Sequence, residues 1–345
     1  MTRSSVDPGG SALVLGGSGA VGRALTGLLA DAGVSVFAAS RRPSADFAAG
    51  SRFVRLDVRD TAALAEAVDA AHVVVDASGL DDESVAATVV AAGAHLVDLS
   101  AGTAHLAALR RHALPALDKQ VTVLIGVGLA PGLTNLLAAE VHARSPRGGV
   151  ELSVVLGLGE QHGPAATAWM LTQLAAAPRH PPRRADLPAG FGRRTLRWVD
   201  FAEQHVLTED LGVPVVARCA LEPPLLATVT AMAARVPALR RLLVSSAGVA
   251  SRLTGRDRWL AAAQVADGPT GWVTGRGQST GTAVVAAWAV HQLLGGNLPS
   301  GAYDLHQLTD LETLSPWLHR HGITTGGRTE RRYPPPRNAS EIAGT

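Results

Sequence analysis

A glycine-rich turn between a short apolar strand and a helix is the feature that most constrains the fold. It runs from Gly16 to Gly22 and fits both G-x-G-x-x-G and G-x-x-G-x-x-G. A strand is predicted before it, over residues 12–15, and a helix after it, over residues 20–32. Glycines in such a turn let a pyrophosphate approach the backbone, and the N–H groups of the helix N-terminus bind it. The sequence therefore predicts a dinucleotide-binding βαβ unit, with a tight strand–helix turn that binds nothing as the alternative.

Strand and helix patterns alternate through the first third of the chain. Several of the strands are continuous apolar runs rather than alternating ones, which is typical of parallel strands covered on both faces. The six predicted strands lie at residues 12–15, 34–39, 53–56, 73–76, 95–99 and 121–125. This alternation predicts an α/β fold whose first domain, residues 11–130, is a doubly wound parallel Rossmann sheet.

The rest of the chain predicts a second domain of α+β type over residues 131–327. Two strands near residues 259–266 and 271–275 are separated by turn residues and predict a hairpin among helical patterns. The last of these helices, residues 310–321, is expected to pack back on the first domain. Further helices are predicted at residues 224–235 and 238–253. A flexible N-terminus is predicted at residues 1–10 and a disordered tail at residues 328–345.

Composition narrows the function classes. The chain has 345 residues, 47% of them apolar and 17% charged, which excludes a disordered chain and allows two domains. Cys219 is the only cysteine and histidines lack metal-ligand spacing, so no disulfide and no metal are expected. A net charge of +2 does not indicate nucleic-acid binding, and no apolar run is long enough for a membrane span. We expect a cytoplasmic protein that binds a small-molecule substrate, with a homodimer as the candidate assembly.

The end of the second predicted strand indicates which dinucleotide is bound. NAD sites usually place Asp or Glu there, where the carboxylate binds the ribose 2′-hydroxyl. Here Ser40, Arg41 and Arg42 occupy that place. Guanidinium groups pair well with a phosphate dianion, so NADP is predicted. The alternative is that the two arginines are merely exposed in a turn.

Two further strand ends are expected to contact the cofactor. The Asp57 carboxylate is a candidate acceptor for the adenine amino group, with capping of the next helix as its alternative role. Small residues after the fourth strand leave room for the ribose and diphosphate. The predicted cofactor-binding residues are Gly16, Ser18, Gly19, Ala20, Val21, Gly22, Ser40, Arg41, Arg42, Asp57, Val58, Ala77, Ser78 and Gly79.

Four segments of the chain resemble the saccharopine dehydrogenase (saccharopine reductase-like) family. They are residues 16–22, 73–79, 92–100 and 128–138, and a looser resemblance continues through residues 275–278 and 299–302. The resemblance implies an NADP-binding Rossmann domain, a second domain that carries the substrate, and hydride transfer at a C–N bond. The family also contains enoyl reductases, so reduction of a C=C bond is the alternative reaction.

Three polar residues are candidates for catalysis, which we expect where the two domains face each other. Asp98 ends the fifth predicted strand, Asn135 follows the sixth, and His162 lies in a polar strand-to-helix turn. A histidine suits proton transfer near neutral pH, so His162 is the first candidate for the general acid and Asp98 the second. Capping and loop hydrogen bonds are the alternative roles of Asp98 and Asn135, and a solvated loop position is that of His162.

Other readings of the sequence stay open or are excluded. Residues 178–197 hold six arginines and one acid, Asp186, which fits either a solvated loop or a mobile lid that gathers an anionic substrate. Short-chain dehydrogenase chemistry is excluded because neither Tyr303 nor Tyr333 has a lysine four residues later. The only lysine, Lys119, is predicted near the edge opposite the cofactor. A non-catalytic NADP sensor remains an alternative to an enzyme.

Overall fold

The computed structural model describes most of the chain as two compact units. Described are residues 10–43, 47, 49–160, 164–175, 180–223, 236, 239, 257–266 and 268–327. One unit is drawn from Met1–Gly128 and Thr282–Thr309, and the other from Leu129–Gly281 and Asp310–Pro334. His162, the helices predicted at 224–235 and 238–253, and the predicted tail lie outside the described residues.

The first unit is built on a parallel seven-stranded sheet. Its strands are β1 (Ser11–Leu15), β2 (Ser35–Ser40), β3 (Arg52–Arg55), β4 (Val73–Asp76), β5 (His95–Asp98), β6 (Thr122–Ile125) and β13 (Gly301–Asp304). The strand order is β13-β6-β5-β4-β1-β2-β3. The chain adds β2 and β3 on one side of β1 and then returns to add β4, β5 and β6 on the other side, as in a doubly wound sheet. Ligands of such sheets bind at the carboxyl ends of the strands beside this reversal. The predicted fold class is confirmed.

The helices of this unit follow the predicted spacing closely. They are α1 (Ala20–Asp31), α2 (Thr61–Val68), α3 (Glu83–Ala91), α4 (Thr103–Leu109), α5 (Ala113–Asp118) and most of α9 (Gln278–Leu294). The single helix predicted over 103–118 is divided by a 3₁₀ turn at Arg110–His112. Pro115 lacks the N–H that would continue the α-helical bonding across this point.

The second unit is built on a mixed seven-stranded sheet. Its strands are β7 (Val150–Gly157), β8 (Arg183–Leu187), β9 (Gly192–Trp198), β10 (Val215–Glu222), β11 (Arg258–Val265), β12 (Thr270–Arg276) and β14 (Thr324–Gly327), in the order β14-β12-β11-β7-β10-β9-β8. Its helices are α6 (Thr134–Arg144), α7 (Pro164–Ala175), α8 (Ala202–Leu211) and α10 (Leu311–Arg320). The predicted hairpin is present as the antiparallel pair β11 and β12.

The last helix, α10, packs on β14 and α6 within the second unit, with its apolar side buried there. Its packing on the first domain stays a prediction. The strand β13, which comes from the second half of the chain, pairs with β6 in the first sheet. The arginine-rich stretch is an antiparallel hairpin of β8 and β9 at a sheet edge, not an open loop. Its arginines hide the strand pattern because they stand at consecutive positions.

No described helix is long and apolar enough to cross a membrane. In the same part of the chain, His, Cys, Asp and Glu side chains do not gather into groups of three or more that could hold a metal ion.

Candidate functional site

The glycine turn is shaped by close backbone contacts. Gly16 leaves β1 with a φ of +79°, and a Cβ there would lie 2.4 Å from the carbonyl oxygen of Ala77. A Cβ on Gly22 would lie 2.3 Å from the carbonyl oxygen of Gly16. Gly19 is different, because its added Cβ would meet only the Gly16 oxygen, at 3.2 Å. Gly16 and Gly22 are therefore required by packing, whereas the space beside Gly19 is open to a ligand.

The N-terminus of α1 offers its N–H groups to an anion. Gly19 is the N-cap, so no side chain caps the helix, and the first turn contains no acidic residue. The leading N–H groups of a helix have no acceptor within the helix, and the helix dipole adds positive potential. The Arg23 guanidinium donates to the carbonyl oxygen of Ser18 and so brings a full positive charge to the turn. Sequence reasoning missed Arg23, although a basic residue one turn into the helix was visible.

The end of β2 presents two guanidinium groups to solvent. Ser40 is buried, and its hydroxyl donates to the carbonyl oxygen of Arg42 at 2.5 Å. Arg41 and Arg42 are exposed, and no described carboxylate forms a salt bridge with either. This bond of Ser40 holds the turn, and contact of Ser40, Arg41 or Arg42 with a cofactor stays a prediction.

The end of β3 places Asp57 on the surface. Its Oδ1 accepts the N–H of Arg59 at 3.2 Å, and the side chain is exposed. Asp60, not Asp57, caps α2, because its Oδ1 accepts the N–H of Ala63 at 3.1 Å. Val58 is buried, so its side chain belongs to the core. Contact of Asp57 with adenine stays a prediction.

The adjacent strands β4 and β5 each end in an aspartate whose carboxylate accepts the backbone N–H of a serine two residues later. Asp76 Oδ1 accepts the N–H of Ser78 at 2.9 Å, and Asp98 Oδ1 accepts the N–H of Ser100 at 3.0 Å. The two aspartates are opposite one another in the parallel register. Both carboxylates are buried, and burial, with added repulsion from Asp98, raises the pKa of Asp76 to about 6. Ala77, Ser78 and Gly79 follow at the carboxyl edge, and their contact with a cofactor stays a prediction.

Asp98 is enclosed by a serine and a histidine. Ser100 Oγ donates to Asp98 Oδ2 at 3.0 Å, and His105 Nε2 lies 3.3 Å from the same oxygen. Asp98 is only 1% exposed, so its carboxylate faces the interior, and a catalytic role for it stays a prediction. The hydrogen bond to Asp98 is the main reason why the pKa of His105 is raised. Sequence reasoning missed His105, which lies in the first turn of α4, seven residues after Asp98.

Asn135 lies in the second unit and holds a turn. It is buried, and its Oδ1 accepts the N–H of Gly132 at 3.1 Å in the segment Leu129–Leu133 that precedes α6. This is the loop hydrogen bonding named as its alternative role. Asp98 and Asn135 belong to different units, and a catalytic role for Asn135 stays a prediction.

Polar residues elsewhere in the second unit serve its own structure. Glu160, beside the predicted His162, caps α9 by accepting the N–H groups of Gln278 and Ser279, the latter at 2.9 Å. Two arginines of the β8–β9 hairpin form ion pairs, Arg183 with Glu151 at 2.8 Å and Arg194 with Glu222 at 3.1 Å. These two guanidinium groups are already paired and give no support to a lid that gathers anions.

The first unit matches one protein-family model over most of its sheet. Residues 12–115 match the model of the NAD dependent epimerase/dehydratase family, which covers β1 to β5 of the first unit. No curated protein matches the chain.

Solved structures resemble the chain over nearly its whole length. Saccharopine dehydrogenase (L-Glu forming) from Saccharomyces cerevisiae superposes with a TM-score of 0.59 at 14% identity, covering 93% of this chain and 100% of that one. Amine dehydrogenase from Mycobacterium smegmatis has a TM-score of 0.47 at 12% identity, covering 90% and 97% of the two chains. The first of these likenesses shows that the chain has the fold of the yeast saccharopine dehydrogenase, in agreement with the resemblance predicted from the sequence.

Proposed function

We propose that the chain is an oxidoreductase that binds a nicotinamide dinucleotide at the carboxyl edge of its first sheet. The observation that carries the proposal is the glycine turn, where an uncapped helix N-terminus faces an opening at Gly19 that no side chain of the described residues fills. The match of residues 12–115 to a family described as NAD dependent supports the same cofactor class. The donors present fit a pyrophosphate, since backbone N–H groups, the helix dipole and Arg23 all favour negative charge.

We propose NADP rather than NAD as the cofactor. The support is the pair of exposed guanidinium groups, Arg41 and Arg42, at the end of β2, where NAD sites carry an acid. Arginine binds phosphate through several N–H groups at once, so these two guanidinium groups suit a 2′-phosphate.

The proposed reaction is hydride transfer at the C=N bond of a small substrate derived from an amino compound. Its support is the resemblance to saccharopine dehydrogenase-like proteins and the fold shared with the yeast enzyme of that name. When bound, the dinucleotide supplies or accepts the hydride. The chain's own residues must hold the reacting carbon in place and move a proton to or from the nitrogen. His162 is the proposed proton donor, and Asp98, at the end of β5, is the second candidate.

The proposed reaction is tested by measuring whether the protein oxidises NADPH in the presence of candidate substrates. NADPH consumption would be followed with imines formed from amines and carbonyl compounds, and in parallel with enoyl substrates. We expect turnover with an imine, and His162→Ala should lower kcat by about 100-fold with little change in NADPH affinity. Lys119→Ala is the control, because Lys119 is exposed at the end of α5, before β6 begins.

The other outcomes discriminate between the alternatives. Consumption with enoyl substrates alone would replace the proposed reaction with C=C reduction. Tight NADPH binding with no turnover on either substrate class would identify a sensor. Loss of activity in the Lys119 variant would contradict the assignment of the proton donor.

A further inference from the structure

We propose that Ser100 Oγ is the hydrogen-bond acceptor for the carboxamide N–H of the bound nicotinamide. This inference rests on the proposed dinucleotide site, and it adds the direction of one hydrogen bond within that site. A serine hydroxyl has one proton, so once that proton is donated to one acceptor the oxygen can only accept hydrogen bonds from other groups. In this structure the Ser100 hydroxyl donates its proton to Asp98.

The contacts of Asp98 fix that direction. A carboxylate only accepts hydrogen bonds, and Asp98 Oδ2 receives the Ser100 hydroxyl at 3.0 Å. Its other oxygen, Oδ1, is held by the N–H of Ser100, also at 3.0 Å. His105 Nε2 approaches Oδ2 at 3.3 Å from inside the protein. With Asp98 1% exposed, the carboxylate has no room to rotate towards water, and the Ser100 proton stays turned inward.

The outward side of Ser100 is left with lone pairs only. Ser100 is partly exposed at the carboxyl edge, two residues past the end of β5. A ligand that approaches there meets an acceptor backed by a buried carboxylate. Such a group selects an N–H donor and disfavours a carbonyl oxygen.

The sheet order places Ser100 on the nicotinamide half of the site. The pyrophosphate belongs at the glycine turn after β1, and the adenosine half is proposed to extend over β2 towards Arg41 and Arg42. The other half must then cross in the opposite direction, over β4 and β5. The carboxamide carries an NH₂ group, which is the donor that an acceptor at Ser100 would bind.

A nucleotide analogue tests this contact by binding alone. In the 3-acetylpyridine analogue of NADP a methyl group replaces the carboxamide NH₂, so the donor is lost while the rest is kept. Dissociation constants of both nucleotides would be measured for the wild type, Ser100→Ala and the control Ser35→Ala. Ser35 is a partly exposed serine at the start of β2, at the opposite edge of the sheet.

We expect Ser100→Ala to weaken NADP binding by about 2- to 10-fold, as for one lost hydrogen bond, and to leave analogue binding unchanged. Ser35→Ala should change neither constant. Equal losses for both nucleotides in Ser100→Ala, or no loss for NADP, would overturn the contact. Failure of the wild type to bind either nucleotide would instead contradict the dinucleotide site itself.

Asp98→Asn tests the cause of the direction. Its Oδ1 would still accept the Ser100 N–H, so its NH₂ would face the Ser100 hydroxyl, donate to it and turn the serine proton outward. We expect this variant to lose the preference for NADP over the analogue, as Ser100→Ala does. An unchanged preference in a folded Asp98→Asn protein would show that Asp98 does not set the direction. Ser100→Ala decides the contact if the Asn variant does not fold.

Discussion

At the scale of single residues, two buried carboxyl groups stand apart from the rest. Asp76 ends β4 in the first unit. Glu203 lies in the first turn of α8 in the second unit, and its Oε1 accepts a hydrogen bond from the hydroxyl of Thr134 at 3.0 Å. Burial raises the pKa of Asp76 to about 6 and that of Glu203 to about 7. Each folded carboxyl therefore holds its proton more tightly than in the unfolded chain, so ionisation near neutral pH costs stability.

The Asp76→Asn variant should be more stable than the wild type above pH 6. The Asp76 pKa rises from 3.8 unfolded to about 6 folded, so its stabilising contribution is full below pH 4 and is lost as the pH rises through 6. The loss is at most about 3 kcal/mol. Asn keeps an oxygen for the Ser78 N–H and cannot ionise.

Thermal unfolding between pH 4 and pH 8 measures this effect. The variant should show a Tm that falls less with pH than that of the wild type, while the exposed control Glu66→Gln should follow the wild type. An Asp76→Asn protein that is less stable than the wild type at pH 8 would refute the account of this carboxyl group.

At the scale of elements, the glycine turn separates folding from binding. Gly19→Val should abolish dinucleotide binding while circular dichroism stays native. The backbone φ of −72° at Gly19 accepts a side chain, and the nearest atom would be 3.2 Å from its Cβ. Gly22→Ala should instead cost stability, by about 1–3 kcal/mol, because its Cβ would press on the backbone of Gly16. Normal NADPH affinity in folded Gly19→Val would mean that the pyrophosphate lies elsewhere.

Elements were predictable where the sequence pattern and the local environment agree. β4 lies at the predicted residues because a run of valines is buried on both faces. α8 was missed because buried Glu203 and Gln204 interrupt its apolar side with polar residues. β14 was missed because Thr and Gly carry no strand pattern of their own, and its place is set by pairing with β12.

At the scale of the whole molecule, long-range pairing limits what the sequence predicts. The short strand β13 was expected in the second domain, yet it extends the first sheet beside β6. Its buried Asp304 binds Arg110 through bonds of 2.7 to 3.1 Å, a pair separated by 194 residues that no local pattern reveals. The candidate site follows the same rule: the glycine turn was predictable, whereas the contact between His105 and Asp98 required the fold.

The central claim is that a nicotinamide dinucleotide binds at the carboxyl edge of the first sheet and that Arg41 and Arg42 select NADP. Equilibrium titration of NADPH and NADH against the wild type, the Arg41→Ala/Arg42→Ala double variant and the charge control Lys119→Ala tests it most directly. We predict that the wild type prefers NADPH, and that the double variant loses NADPH affinity by about 10-fold or more while its NADH affinity hardly changes. Lys119→Ala should bind both nucleotides like the wild type. A wild type that prefers NADH, or equal losses for both nucleotides in the double variant, would contradict the claim.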